Sequence, residues 1–123
     1  MKLANRASAF SIIFSTLQSE DVRDSRKKIL GINEHYSSWT SDIKNHAERV
    51  GNAYNTVGVL LKRGVVPYSY VIEEWHDSII KCWHKCSEMT YEHRNLRGND
   101  FWDEFETLFK KSIEFEKSNN IRK

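Results

Sequence analysis

Between Ile43 and Gly64 the apolar residues fall at Ile43, Ala47, Val50, Tyr54, Val57 and Leu61. Steps of three and four put all six on one face of a helix. Lys62 and Arg63 follow, then Gly64: cations for a last turn and a residue that tolerates left-handed backbone. Pro67 opens a second, longer pattern, with Ile72, Trp75, Ile79, Cys82, Trp83 and Cys86 directed to a core. Two long amphipathic helices joined by so short a turn return antiparallel. The spacing therefore predicts a helical hairpin at the centre of the chain, with Val50, Tyr54, Val57 and Leu61 against Ile72, Trp75, Ile79 and Trp83.

The flanking segments extend this to an all-α, single-domain bundle of about five helices over residues 1–123. A first helix is expected from about Asn5 to Leu17, with Ala7, Phe10, Phe14 and Leu17 on its buried face and Ile13 widening it. Ser19 is placed to cap a second helix, with Glu20 and Asp21 in its first turn, Val22, Arg26, Ile29 and Leu30 on its stripe, and an end near Gly31. Residues Ile32 to Trp39 read as a linker, after which Thr40 or Ser41 caps the third helix. The fourth should stop near Leu96. Asn99 or Asp100 would cap the fifth, whose face is Phe101, Trp102, Phe105, Leu108, Phe109 and Ile113. The polar tail is expected to fray after about residue 117. One Pro and five Gly in 123 residues are too few breakers for a turn-rich β fold.

Composition narrows the function classes. A net charge of +2 gives nucleic-acid binding no global electrostatic support. Cys82 and Cys86, the only cysteines, stand four apart on one helix, where a disulfide would strain the backbone. They read as thiols in a reducing cytosol. The apolar patch Phe10 to Phe14 is interrupted by Ser11 and too short for a signal core or a membrane span. A cytoplasmic chain with no membrane association is expected.

No motif of established chemistry is met. Cys82, Cys86 and His93, with His76 and His84 nearby, lack the paired spacing of zinc sites, so no metal or other cofactor is expected. Cys82 lies on an apolar face, where burial raises a thiol's pKa, and His84 falls on roughly the opposite side. The acidic pairs Glu73-Glu74, Asp103-Glu104 and Glu114/Glu116 read as solvated faces or first turns rather than acid–base machinery.

Other polar and aromatic residues stand out. Arg49 and Asp77 each border an apolar stripe of the hairpin and could form an ion pair across it. Arg23, Arg26, Lys27 and Lys28 form a local basic cluster, a solvated helix end or a contact for an anionic partner. Tyr36 and Trp39 in the linker either fold back as a lid on the core or stand out as interface anchors. Ile12 and Ile13 lie beside the main face of the first helix and, with Tyr36 and Trp39, form the candidate partner surface.

The run RVGNAYNTVGVLLKRGVVPYSYVIEEWHDSIIKCW carries Arg49-Val50, Val57-Gly58, Arg63-Gly64, Trp75, Asp77-Ser78-Ile79 and Trp83. With Phe101-Trp102 and the acidic-to-basic run Glu20 to Arg23, it resembles a family of small bacterial all-helical proteins known only as a domain of unknown function. The resemblance spans roughly residues 7–116. Many of those relatives carry a membrane helix ahead of the domain, and none is evident here. It implies the helical fold and no particular activity.

The expectation is thus a non-enzymatic protein-interaction module: an adaptor, inhibitor or accessory subunit of a bacterial or phage system, with a protein partner or a second copy. Two alternatives stand beside it. One is a nucleic-acid accessory protein using helix 2, its basic face continued by Lys44, Lys62 and Arg63. The other is a small metal- or ligand-binding bundle using helix 4.

Overall fold

The structure, a computed structural model, describes residues 3–121. Five α-helices occupy the described residues: α1 (Leu3–Gln18), α2 (Glu20–Leu30), α3 (Ser41–Lys62), α4 (Ser69–Arg97) and α5 (Asp103–Ser118). A single 3-10 turn, Tyr36–Ser38, interrupts the linker, and no strand occurs among them. No helix among the described residues is long and apolar enough to cross a membrane.

The local signals act as the spacing predicts at most boundaries. The Ser19 hydroxyl accepts from the Val22 N–H at 3.4 Å, and the Thr40 hydroxyl from the Ile43 N–H at 3.2 Å. Gly64 ends the α3 turn in left-handed backbone with φ 77°.

The α3–α4 hairpin is antiparallel. Tyr54 meets Ser78 through a hydroxyl–hydroxyl hydrogen bond of 2.6 Å, and the Cys86 thiol faces the Ala47 carbonyl at 3.9 Å. Tyr54, Val57, Ile79 and Trp83 are buried in one core. Trp75 is the exception among the eight residues predicted to meet across the hairpin: it is half-buried, and the Arg26 guanidinium lies 5.1 Å from its ring centre.

The closest packing belongs to α5, which is wedged against both arms of the hairpin. Phe105 stacks on Tyr54 at 5.3 Å and meets the edge of Trp83 at 5.1 Å, while Phe109 stacks on Trp83 at 5.8 Å. Two α3 glycines make room for it. A Cβ at Gly51 would stand 2.2 Å from the Trp102 ring, and one at Gly58 would stand 2.8 Å from the Glu104 carbonyl oxygen. Neither contact leaves space for a side chain, so the helix-propensity cost of glycine here is the condition for α5 to dock.

The start of α5 departs from expectation. Asn99 and Asp100 do not cap it. The N-cap is Trp102, in left-handed backbone with φ 54°, a conformation costly for a bulky residue. Its indole N–H donates to Asn52 Oδ1 at 2.9 Å, which helps to hold it there. The open backbone N–H groups of Glu104 and Phe105 both donate to Asn55 Oδ1 at 3.1 Å. A side chain of α3 thus does the work of the missing cap.

The first helix also turns a different face inward. Ala9, Ile13 and Leu17 are buried, while Phe10, Ile12 and Phe14 are exposed by 40%, 55% and 51%. Two apolar ridges run side by side on α1, and the straight i, i+4 ridge with small Ala9 at its end is the one that packs.

Candidate functional site

The candidate partner residues divide on burial. Ile13 is 2% exposed and Trp39 is 8% exposed, so neither offers surface to a partner. The linker is a lid. Trp39 donates from its indole N–H to the Glu34 carbonyl at 3.1 Å and meets the edge of Tyr36 at 5.2 Å. Three α4 side chains hold this segment down: Lys85 donates to the Ile32 carbonyl, Glu88 lies 3.2 Å from His35, and Glu92 accepts from the Tyr36 hydroxyl. Burial and the neighbouring Glu92 push the Tyr36 phenol up to about 12. Ile12 is exposed.

Arg49 and Asp77 do not pair. Arg49 reaches α2 and donates to the Ser25 hydroxyl at 2.9 Å, and Asp77 pairs with Lys81 one turn along α4 at 3.0 Å. The two residues border different neighbours because Arg49 lies on the side of α3 that packs against α2, while Asp77 is exposed on α4.

The basic cluster does not act as one face either. Arg23, Lys27 and Lys28 are exposed, but Arg26 turns inward, donating to the Leu17 carbonyl at 3.1 Å and lying over Trp75. Asp24 and Asp42 line the same groove as Lys27 and Lys28. The expected continuation is dispersed: Lys62 pairs with Glu104 at 3.2 Å, and Lys44 lies over the Tyr36 ring at 5.3 Å.

The structure assembles two polar clusters that sequence reasoning did not find. In the first, His46 bridges Ser25, through Nδ1 at 2.8 Å, and Asp42, whose carboxylate lies 3.6 Å from Nε2. Hydroxyl, imidazole and carboxylate follow one another as in a nucleophilic hydrolase. Exposure decides against that chemistry, since Ser25 is 0% exposed and cannot reach a substrate, while the carboxylate that should orient the ring is 80% exposed. With Arg49 also donating to Ser25, the cluster is a polar tie between α2 and α3.

In the second, the Glu116 carboxylate, 1% exposed, is hydrogen-bonded to His76 Nδ1 across the α4–α5 contact. This corrects the reading of Glu116 as solvated: its place on the Phe105, Leu108 and Ser112 stripe carries it inward. Phe115 packs against the same imidazole at 5.0 Å. The bond is a buried tie between α4 and α5.

Cys82 and Cys86 are free and buried. Burial raises the Cys82 thiol to about 11, against the opposing effects of Ser78 and Arg26, and raises Cys86 further. Such thiols are poor nucleophiles and poor ligands at neutral pH. Among the described residues no group of three His, Cys, Asp or Glu side chains comes together to hold a metal ion.

One open feature remains. Between α1 and the first turns of α4 runs a groove of about 620 Å³. Its walls carry Phe10, Phe14, Tyr70, Trp75, Glu74 and Asp77. Phe10 meets the edge of Tyr70 at 6.0 Å and stacks with Phe14 at 6.4 Å. Nothing in the spacing of residues 7–17 distinguished this open ridge from the buried one beside it.

No curated protein and no solved structure gives a significant match to the chain. The sequence does match a family profile across residues 2–112, nearly its whole length, and the chain belongs to that family, the domain of unknown function DUF4760.

Proposed function

We propose that the protein acts by contact, as a non-enzymatic protein-interaction module, through the face formed by α1 and the start of α4. One observation carries this reading. Phe10, Phe14 and Tyr70 are exposed, Phe10 touches both of the other rings, and Phe10 and Phe14 lie on a helix whose residues 7–18 include no charged side chain. Scattered exposed apolar residues need no explanation, but a contiguous patch on a stretch of helix without charge marks an interaction surface. The polar clusters support the same reading from the other side, because each is closed to solvent at the atom that would have to react.

The occupant is a protein chain that lays an apolar surface along α1. The test is a photo-crosslinking residue placed at Ser11 in the native host, with a second at Lys117 on the exposed end of α5 as control. A discrete adduct from Ser11 and none from Lys117 is expected. Equal crosslinking from the two positions, or none from Ser11, would remove α1 as the contact face.

A further inference from the structure

Five aromatic rings among the described residues lie beneath a cation. Tyr36 lies beneath Lys44, Tyr68 beneath Lys111, Trp75 beneath Arg26, Tyr91 beneath Arg94 and Phe101 beneath Arg97, each cation 4.5–5.9 Å from the ring centre. Four aromatic side chains are exposed among the described residues: Phe10, Phe14, Tyr70 and Tyr91. Tyr91 already has its cation. The other three have none among the described residues, and they stand together on one groove.

That groove has the chemistry of a cation subsite. Ring faces carry partial negative charge and attract ammonium or guanidinium groups, most strongly where water is partly excluded. Glu74 stands exposed on the α4 wall beside Asp77, which is paired with Lys81, and the α1 wall contributes no charge from residues 7–18. Among the described residues Arg26 is the one cation lining the groove; it is half-buried, hydrogen-bonded to the Leu17 carbonyl and placed over Trp75. It shows a guanidinium seated on this wall at 5.1 Å, and it leaves the outer rings of Phe10, Phe14 and Tyr70 open. The volume of about 620 Å³ is ample for one planar side chain and its stem.

We propose that the groove takes an arginine side chain of the partner protein, stacked on Phe10, Phe14 and Tyr70 with its charge toward Glu74. Arginine fits better than lysine because its planar, weakly hydrated guanidinium stacks on rings and donates to a carboxylate at once. This rests on the contact reading of the α1 face and specifies its partner.

The test is an aromatic-carbon NMR titration of the full chain with N-acetyl-arginine amide and, separately, with N-acetyl-citrulline amide, its uncharged isostere. Saturable shifts at Phe10, Phe14 and Tyr70 are expected from arginine, with binding about two- to fivefold weaker for citrulline. Glu74→Gln, at an exposed position that does not threaten folding, should narrow that gap. An equal response to the two probes, a preference unchanged by Glu74→Gln, or no response at all would overturn the proposal. Tighter binding of tetramethylammonium than of the arginine probe would overturn the choice of arginine. None of these outcomes alters the crosslinking from Ser11, which decides the contact reading separately.

Discussion

The two ends of the bundle treat apolar surface in opposite ways. At the α3–α5 contact two glycines strip one helix bare so that Trp102 and the Glu104 backbone can close on it. On α1, which packs against α2 and α3, a single ridge, Ala9, Ile13 and Leu17, is buried and the neighbouring ridge of Phe10 and Phe14 is left open. The first arrangement spends helix propensity to gain internal contact. The second leaves large side chains in water on a helix that could have carried charge instead. The α3–α5 seam is closed on both sides, whereas α1 carries a buried ridge and an open ridge side by side.

That contrast can be broken first at Trp83, which packs against both Phe105 and Phe109. Trp83→Ala should cost about 3–5 kcal/mol, and Trp75→Ala, half-buried at the groove, distinctly less. Urea unfolding of the two variants gives the ranking directly, and equal losses would erase the distinction between the regions.

The glycines come next. Gly51→Ala and Gly58→Ala should each destabilise by about 1–3 kcal/mol through overpacking, offset in part by alanine's helix propensity of up to about 1 kcal/mol. Gly31→Ala is the control, because its Cβ would make only ordinary contacts, the nearest at 3.6 Å. Stabilisation by Gly51→Ala would show that α5 does not sit where it is described.

Asn55→Ala leaves the Glu104 and Phe105 N–H groups without their shared acceptor and should cost about 1–2 kcal/mol. Asn55→Asp should recover most of it, since a carboxylate can accept the same two bonds at a helix N-terminus.

The smallest of these effects concerns the lid. The Tyr36 phenol is raised from 10.0 to about 12, so the folded state holds its proton more tightly than the unfolded chain does. Its contribution to stability is therefore complete below pH 10 and is lost as pH rises through about 12. Ultraviolet titration of the folded protein should show one tyrosinate step fewer near that pH in Tyr36→Phe. A step at the ordinary tyrosine value would mean that the linker is not held against α4.

Much of this architecture was legible because its signals are local. Ser19, Thr40 and Gly64 act on backbone within four residues of themselves, and the α3 stripe repeats at helical spacing. What escaped depended on distance or on choice. The acceptor for the start of α5 is Asn55, 49 and 50 residues away from the N–H groups it serves. Ser25 and His46 meet across 21 residues. Glu116 looked solvated in a polar tail, although its position on the Phe105 and Leu108 stripe places it inside. On α1 two adjacent ridges were equally apolar, and only packing decides between them. Gly51 and Gly58, seven apart on one helix face, were the available sign of the α5 docking site: mid-helix glycine at that spacing marks close approach.

The reading of Phe10 and Phe14 as an open ridge outside the core is tested most directly by thermal unfolding of Phe10→Ser/Phe14→Ser beside Gly51→Ala. The double variant removes two large side chains that are 40% and 51% exposed. It should stay within about 1 kcal/mol of wild type, while Gly51→Ala melts well below it. If the double variant loses as much stability as Gly51→Ala or more, Phe10 and Phe14 belong to the core, and α1 has no face to offer a partner.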